Sequence, residues 1–348
     1  MAYDRGKRKK YLKKVVSPVR IKPSASISEL LSGMGETAFQ GKNLSRAVDV
    51  WEEMLKGRTT VFFGLAGALV PAGMRELVVY LIKNRYIDCL VSTGANLFHD
   101  IHETLGRYHY QGHPHVDDRI LRDAGIDRIY DVFALEGEFN AVDRYLYDFS
   151  FVLEKRPYTT REFLYLLGKD LAKRGEAEGI VLAAYRNGVP VYCPAVGDSS
   201  IGIALALRDG ETNFLFDTIG DVKETAHLAS NAKASGVIFA GGGTPKNFIQ
   251  QTEVTACLMG KRAPGHRYAI QITADAPHWG GLSGCTFEEA QSWGKIAKKS
   301  SRVTVNCDST IALPIIVSAL SQRVKGVKRV LPDLSLKNSH RVKKRIWE

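Results

Sequence analysis

The chain is 348 residues long, 45% hydrophobic and 24% charged, with 32 Gly and 12 Pro. These proportions exclude a disordered, collagenous or disulfide-scaffold chain, and no apolar run reaches the ~18–20 residues that a membrane span needs. The formal charge of +11 sits at the ends: residues 1–22 carry nine Lys/Arg against Asp4, and residues 321–348 carry nine against Asp333 and Glu348, which leaves residues 23–320 at −4.

The basic start, MAYDRGKRKKYLKK, is followed by neither an apolar h-region nor a small-residue cleavage site, so it does not read as a secretory signal. Cys89, Cys193, Cys257, Cys285 and Cys307 are widely spaced and form no CxxC pair. That argues for reduced thiols, against structural zinc, and for a cytoplasmic protein. Basic tails can hold phosphates, but no aromatic-interleaved stacking motif or recognition-helix signature accompanies them, so nucleic acid is not an expected partner. The chain divides into a basic tail (1–25), one large domain (26–320) and a second basic tail (321–348).

Along the body, apolar strands alternate with amphipathic helices. TTVFFGLAG reads as a strand entering a Gly-rich turn, and AGMRELVVYLIKNRY as a helix with an apolar period through Met74, Leu77, Val78 and Leu81. IDCLVST is a strand, and ANLFHDIHETLG a helix closed by Gly106. An irregular segment (107–118), rich in His, Tyr and Gly, suits an interface, and a long helical region follows over about 138–176. GIVLAAYRNG is helix, VPVYCPAVGD strand, and ETNFLFDTIG begins another unit. GDVKETAHLASNAKA is helix, GVIFAGGG strand, PKNFIQQTEVTACLM helix, RYAIQITAD strand, TFEEAQSWGKIAKKS helix and RVTVNCD strand. IALPIIVSALSQRV is the last helix, with Pro314 placed near its first turn.

This alternation predicts an α/β fold: a Rossmann-like, doubly wound, mainly parallel sheet with helices on both faces, in a single large domain. Ligands of such folds sit at the carboxyl ends of the strands. The loops there are GLAGA, STGAN, PAVGDSS, AGGGTPK and NCDST. They are expected on one sheet edge, and together they point to a nucleotide site, although none is a true GxGxxG.

Two constellations carry possible chemistry. His99, Asp100, His102, Glu103, His109, His113, His115, Asp117 and Asp118 crowd one stretch, and His99 and His102 share a helical face. The spacing matches no HExxH or dimetal carboxylate pattern, and hydrogen-bonding or interface roles compete with the metal reading. The second constellation is residues 286–300. Thr286 and Glu289 fit a capping box, and Lys295 could be one more surface lysine beside Lys298 and Lys299. Against that, a tryptophan is costly to expose, and a lysine beside desolvated aromatic surface has its ammonium form disfavoured, which frees a nucleophilic amine. On an unbroken helix Trp293 and Lys295 point about 200° apart, so they share a pocket only where Gly294 loosens the turn or the pocket wraps the helix end.

The runs STGANLFHDIHETLG, AGGGTPKN, HWGGLSG and above all EEAQSWGKI resemble the deoxyhypusine synthase family. The likeness extends over about residues 45–320 and includes GLAGALVPAGMRE and PAVGDSSIG. It implies NAD-dependent aminobutyl transfer, in which the lysine matching Lys295 carries the alkyl group as an imine. By the same resemblance, Trp293 matches the apolar wall and Glu289 the amine-binding carboxylate. Thr93 and Gly94 fall in the turn that holds NAD, and Asp198, Gly241, Gly242, Ser283 and Asp308 match further cofactor contacts. A homotetramer of two dimers, with active sites at subunit interfaces, is also implied.

The substrate pocket departs from the family. Ile203 and Leu282 stand where the family has amine-binding Asp, Asn247 where it has His, Gln251 where it has Asn, and His99 where it has an acidic residue that meets the ribose. The chain thus resembles a divergent, deoxyhypusine synthase-like branch. The leading expectation is an NAD-dependent aminoalkyl transferase acting on a polyamine or related small amine, homospermidine synthase-like in its acceptor. The alternatives are a true deoxyhypusine synthase that modifies a protein lysine with spermidine and, from another class, a metal-dependent hydrolase using the His99–Asp118 cluster.

Overall fold

The computed structural model describes residues 5–208, 214–325, 329 and 331. Helices α1 (Arg5–Tyr11), α2 (Ile27–Met34) and α3 (Phe39–Lys56) lead into β1 (Thr59–Leu65), and α4 (Arg75–Lys83) joins it to β2 (Cys89–Ser92). Then come α5 (Gly94–Thr104), β3 (Tyr110–Gln111), α6 (Asp118–Asp123), β4 (Ile126–Ile129) and β5 (Val132–Leu135). Helices α7 (Glu136–Phe151), α8 (Thr160–Arg174) and α9 (Ile180–Asn187) precede β6 (Val191–Tyr192), α10 (Ser200–Ala206) and α11 (Thr218–Asn231). The order closes with β7 (Ala234–Ala240), α12 (Gly243–Leu258), β8 (His266–Thr273), α13 (Phe287–Ser292), β9 (Ile296–Asn306) and α14 (Ser309–Arg323).

Six strands form one sheet in the order β6-β2-β1-β7-β8-β9, and every pairing is parallel. In chain order this is 3-2-1-4-5-6, with the direction of winding reversing between β1 and β7. Successive β1 side chains alternate between two cores. Val61, Phe63 and Leu65 pack with Trp51 and Met54 of α3, while Phe62 packs with Leu228 of α11, Ile249 of α12 and Phe287 of α13. That is the period-two pattern of a strand covered on both faces, so β1 is buried throughout. The expected α/β architecture is present, and because all six strands are parallel the glycine-bearing loops share one edge.

Four local expectations need correction. The helical stretch 138–176 is interrupted over residues 152–159, where Pro157 precedes the Thr159 cap of α8, whose hydroxyl accepts from the Glu162 N–H. Segment 107–118 is not wholly irregular: β3 joins a second, antiparallel sheet in the order β3-β5-β4. Its strands are two to four residues long and mostly half-buried or exposed, too short to give an alternating signal. Pro314 lies well inside α14, beyond the first turn. Finally, α13 stops at Ser292, and residues expected to extend it run as β9 instead.

Basic residues after position 320 also join the fold. Arg323 pairs with Asp49 at 2.7 Å. Arg329 donates to Asp88, a fully buried carboxylate that also accepts from the Val61 N–H. Part of ETNFLFDTIG, residues 211–213, lies outside the described residues, as does most of the second basic tail. Among the described residues, no helix is long and apolar enough to cross a membrane.

A buried carboxylate sets the edge of the sheet. Asp100 of α5 accepts the Ile180 and Val181 N–H groups at 2.6 and 2.9 Å, which ties the start of α9 to α5. Burial pushes its pKa up to about 6. Asp100→Ala leaves both N–H groups unpaired and should cost about 2–3 kcal/mol of stability, read from the shift of the urea unfolding midpoint at unchanged slope.

Candidate active site

At the carboxyl edge, β1 and β7 send their chains to opposite faces and leave a cavity of 1270 Å³. Four of the five anticipated loops line it: Ala66 and Gly67 after β1, Thr93 after β2, Gly241 and Gly242 after β7, and Asp308 after β9. Thr93, Gly242 and Asp308 are the N-caps of α5, α12 and α14, so three helix N-termini converge here. Among the described residues no Lys or Arg lines the cavity. Anionic groups would therefore be met by backbone N–H groups and helix dipoles. Gly242 is required by close approach, since a Cβ there would overlap Ser283. The Ser283 hydroxyl in turn accepts from the Gly243 N–H at 3.0 Å.

Asp198 and Gly94, two of the anticipated cofactor residues, do not line this cavity. Strand β6, which precedes Asp198, is the outermost strand of the sheet. Gly94 packs beneath the same loop, where a Cβ would overlap the Ser199 side chain.

A second cavity, of 180 Å³, holds Lys295. Its walls include Asn247, Leu282, Cys285, Glu289 and Trp293. The angular conflict between Trp293 and Lys295 is removed by Gly294. With φ at +72°, it ends the helical run and turns the chain into β9. Lys295 Nζ then lies 5.4 Å from the Trp293 ring centroid and donates to Asn247 Oδ1 at 3.3 Å. Lys295 is only 8% exposed, but Trp293 is 67% exposed, so the expectation of a buried tryptophan is corrected. The lysine is covered by its other neighbours.

Glu289 does not merely close its helix. Thr286 accepts the Glu289 N–H at 3.1 Å, as a cap should, while the carboxylate lines the Lys295 cavity. Gln251 is exposed on α12, whereas its neighbour Gln250 lines the cavity. Ile203, on α10, is also exposed and lies outside both cavities of this chain.

The two cavities share a thin wall, with Ser283 facing one and Leu282 and Cys285 the other. Behind it lies a residue that sequence reasoning missed. Lys246, 1% exposed, donates to Gln271 Oε1 and to the Ser283 and Cys285 carbonyls at 2.8, 3.2 and 2.5 Å. A lysine so close to a helix N-terminus opposes the dipole, and that was the available signal.

The nine-residue histidine and carboxylate stretch separates into parts. His99, His102 and His109 pack around Phe139. His109 bridges His99 Nδ1 at 3.0 Å and Glu103 at 2.8 Å, and Glu103 also meets Arg75. His113 and His115 meet edge to face, and Asp117 and Asp118 bind Arg119 and Arg128. Among the described residues no group of three or more His, Cys, Asp or Glu is placed to hold a metal ion.

With this geometry in place, comparison with known proteins decides the family. A family model described as deoxyhypusine synthase matches residues 29–320. The chain belongs to the deoxyhypusine synthase family. A Methanosarcina mazei member named probable deoxyhypusine synthase 2 is 53% identical over 321 residues, covering 91% of this chain and 93% of its own. The same organism's probable deoxyhypusine synthase 1 is 42% identical over 322 residues, covering 92% and 99%. A deoxyhypusine synthase-like protein of Elusimicrobium minutum is 36% identical, covering 88% and 83%. The crystal structure of an Entamoeba histolytica protein assigned to deoxyhypusine synthase superposes with a TM-score of 0.60 at 16% identity, over 88% of this chain and 96% of that one, and supports the fold alone.

The histidine cluster makes stability depend on pH. Burial, followed by repulsion from His109, lowers both His99 and His102 to about 3. Unfolded histidines titrate near ~6.5, so below that pH the unfolded chain binds more protons than the native one. Their contribution is complete above ~6.5 and is lost as pH falls towards 3, by about 2 kcal/mol per histidine at pH 5. In urea titrations, replacing the fully buried His102 by Leu should shrink the stability difference between pH 7 and pH 5 by about that amount.

Proposed function

We propose that this protein is an NAD-dependent aminoalkyl transferase that carries the transferred group on Lys295. The observation that supports this best is the enclosed Lys295 beside Trp293, Asn247 and Glu289, separated by residues 282–285 from a cleft built on helix N-termini. The cleft's fit to a dinucleotide rests on Gly242, where the backbone comes too close to Ser283 to allow a Cβ, and on the N–H groups that α5, α12 and α14 present. Thr93, Gly241, Gly242, Ser283 and Asp308 would hold NAD, with the Asp308 carboxylate available to a ribose hydroxyl. When bound, NAD would accept hydride from the carbon next to the donor nitrogen and return it to the same carbon once the acceptor nitrogen has taken the group, so that no net oxidation remains.

The remaining steps fall to the chain. The Lys295 amine attacks the oxidised carbon, a C–N bond to Lys295 forms, and the original C–N bond breaks as the departing amine takes a proton. The alkyl group is then an imine on Lys295 until an acceptor amine displaces it. Asn247 orients the Lys295 amine, and Glu289 pairs with the far ammonium of the donor. Leu282 and Trp293, both exposed in the single chain, would shield the imine from water only once they are covered. Among the described residues Glu289 is the one carboxylate lining the Lys295 cavity, which favours a donor with fewer charges than a pocket of several carboxylates would bind. Trp279, Leu282 and Trp293 leave an exposed apolar rim around this site, and a second copy of the chain is the cover we propose for it, within a homotetramer.

A second reading, transfer to a protein lysine, is favoured by the names of relatives about half identical to this chain. Incubation with NAD and a panel of labelled amines, followed by borohydride reduction and mass spectrometry, separates the two. Label moving to a small amine supports the first reading, and label moving to an added protein substrate the second. Wild-type protein should give a reduced adduct on Lys295. Lys295→Ala and Lys295→Arg should give neither adduct nor transfer, since a guanidinium stays protonated. NAD binding should survive in both, and adduct formation by either variant would sink the covalent mechanism.

The cleft assignment has its own test. Gly242→Ala forces Ser283 away and should weaken NAD binding at least about tenfold by calorimetry, equivalent to ~1.4 kcal/mol. Unchanged affinity would place the cofactor elsewhere.

A further inference from the structure

Lys246 takes no part in the steps above, yet it is a buried cation with three acceptors. Its neighbour Gln271, on β8, accepts from Nζ and donates its own amide to the Ser283 and Gly241 carbonyls at 2.7 and 3.0 Å. The Ser283 carbonyl therefore receives two donors, the Cys285 carbonyl one, and the Ser283 hydroxyl the Gly243 N–H. Four of these contacts bear on the segment whose two sides face different cavities, and the other two tie Gln271 to Lys246 and to Gly241. Burial lowers Lys246 to about 8, so at neutral pH most of it remains an ammonium able to donate all three bonds.

We infer that Lys246 is a positioning residue: its three hydrogen bonds fix residues 282–285 between the glycine-loop cleft and the Lys295 cavity, and so set how closely a molecule in one approaches a molecule in the other. The role rests on the transfer reaction proposed above. Its leverage comes from geometry, because a misplacement of about 1 Å between reacting centres costs roughly a hundredfold in rate. No apolar replacement can hold two carbonyls and an amide at once.

The test uses full-length Lys246→Met with two readouts. The first needs no cofactor: hydrogen exchange of backbone amides over residues 282–286 should speed up at least about tenfold, because the segment loses its clamp. The second uses a donor amine deuterated next to nitrogen. We expect kcat to fall at least about tenfold with KM for the amine nearly unchanged, and the deuterium effect on kcat to rise as the transfer step becomes limiting. A merely structural defect would reduce the active fraction and leave the isotope effect where it was. Should Lys246→Met fail to fold, Gln271→Leu, which removes two donors and one acceptor of the same clamp, decides the matter by the same readouts. Wild-type exchange, kcat and isotope effect in the variant overturn the positioning role alone. Wild-type protein that passes no hydride to NAD with any amine overturns the transfer reaction itself, and the role with it.

Discussion

The reversal of winding between β1 and β7 is the constraint on which the rest depends. Two adjacent parallel strands pass their chains to opposite faces of the sheet, so no loop covers the gap between their carboxyl ends. The gap becomes the large cavity, and the helices that follow β2, β7 and β9 begin at its rim. Among the described residues no Lys or Arg lines it, so the helix dipoles are the source of positive potential there.

Lys295 occupies a different physical environment only a few residues away. It has a carboxylate, an amide, a thiol and an indole around it, and little water. Segment 282–285 lies between that pocket and the polar cleft, and buried polar side chains hold its carbonyls. Gly242 lets Ser283 approach, while Lys246 and Gln271 satisfy the carbonyls that would otherwise face an apolar interior.

The histidines near the cleft illustrate how composition can mislead. Five fall close together in the sequence, but three sit in an aromatic cluster around Phe139, and the other two lie apart on the insert. Burial keeps His99 and His102 neutral, so they pack against Phe139 without a counter-ion, and His99 Nδ1 is already engaged by His109. Where the family has an acidic residue, His99 is thus turned towards His109, and Glu103 and His109 form that end of the cleft instead.

The sequence by itself determined the architecture. Period-two strands and period-3.6 helices are local signals, set by which face each residue must bury, and a strict alternation of the two admits few folds. Helix N-caps such as Thr93, Asp308 and Thr286 are likewise local, since each serves backbone groups within a turn of itself. Contacts between distant segments were decided by the tertiary structure. Gly294 could be seen as a possible break, but whether α13 ended there depended on β9 pairing with β8 across the sheet. The exposure of Trp293, the exclusion of Ile203 and Asp198 from the cavities, and the burial of Lys246 follow from which loops meet at one edge. Those meetings depend on strand order, and strand order is a property of the whole sheet that no short run of residues encodes.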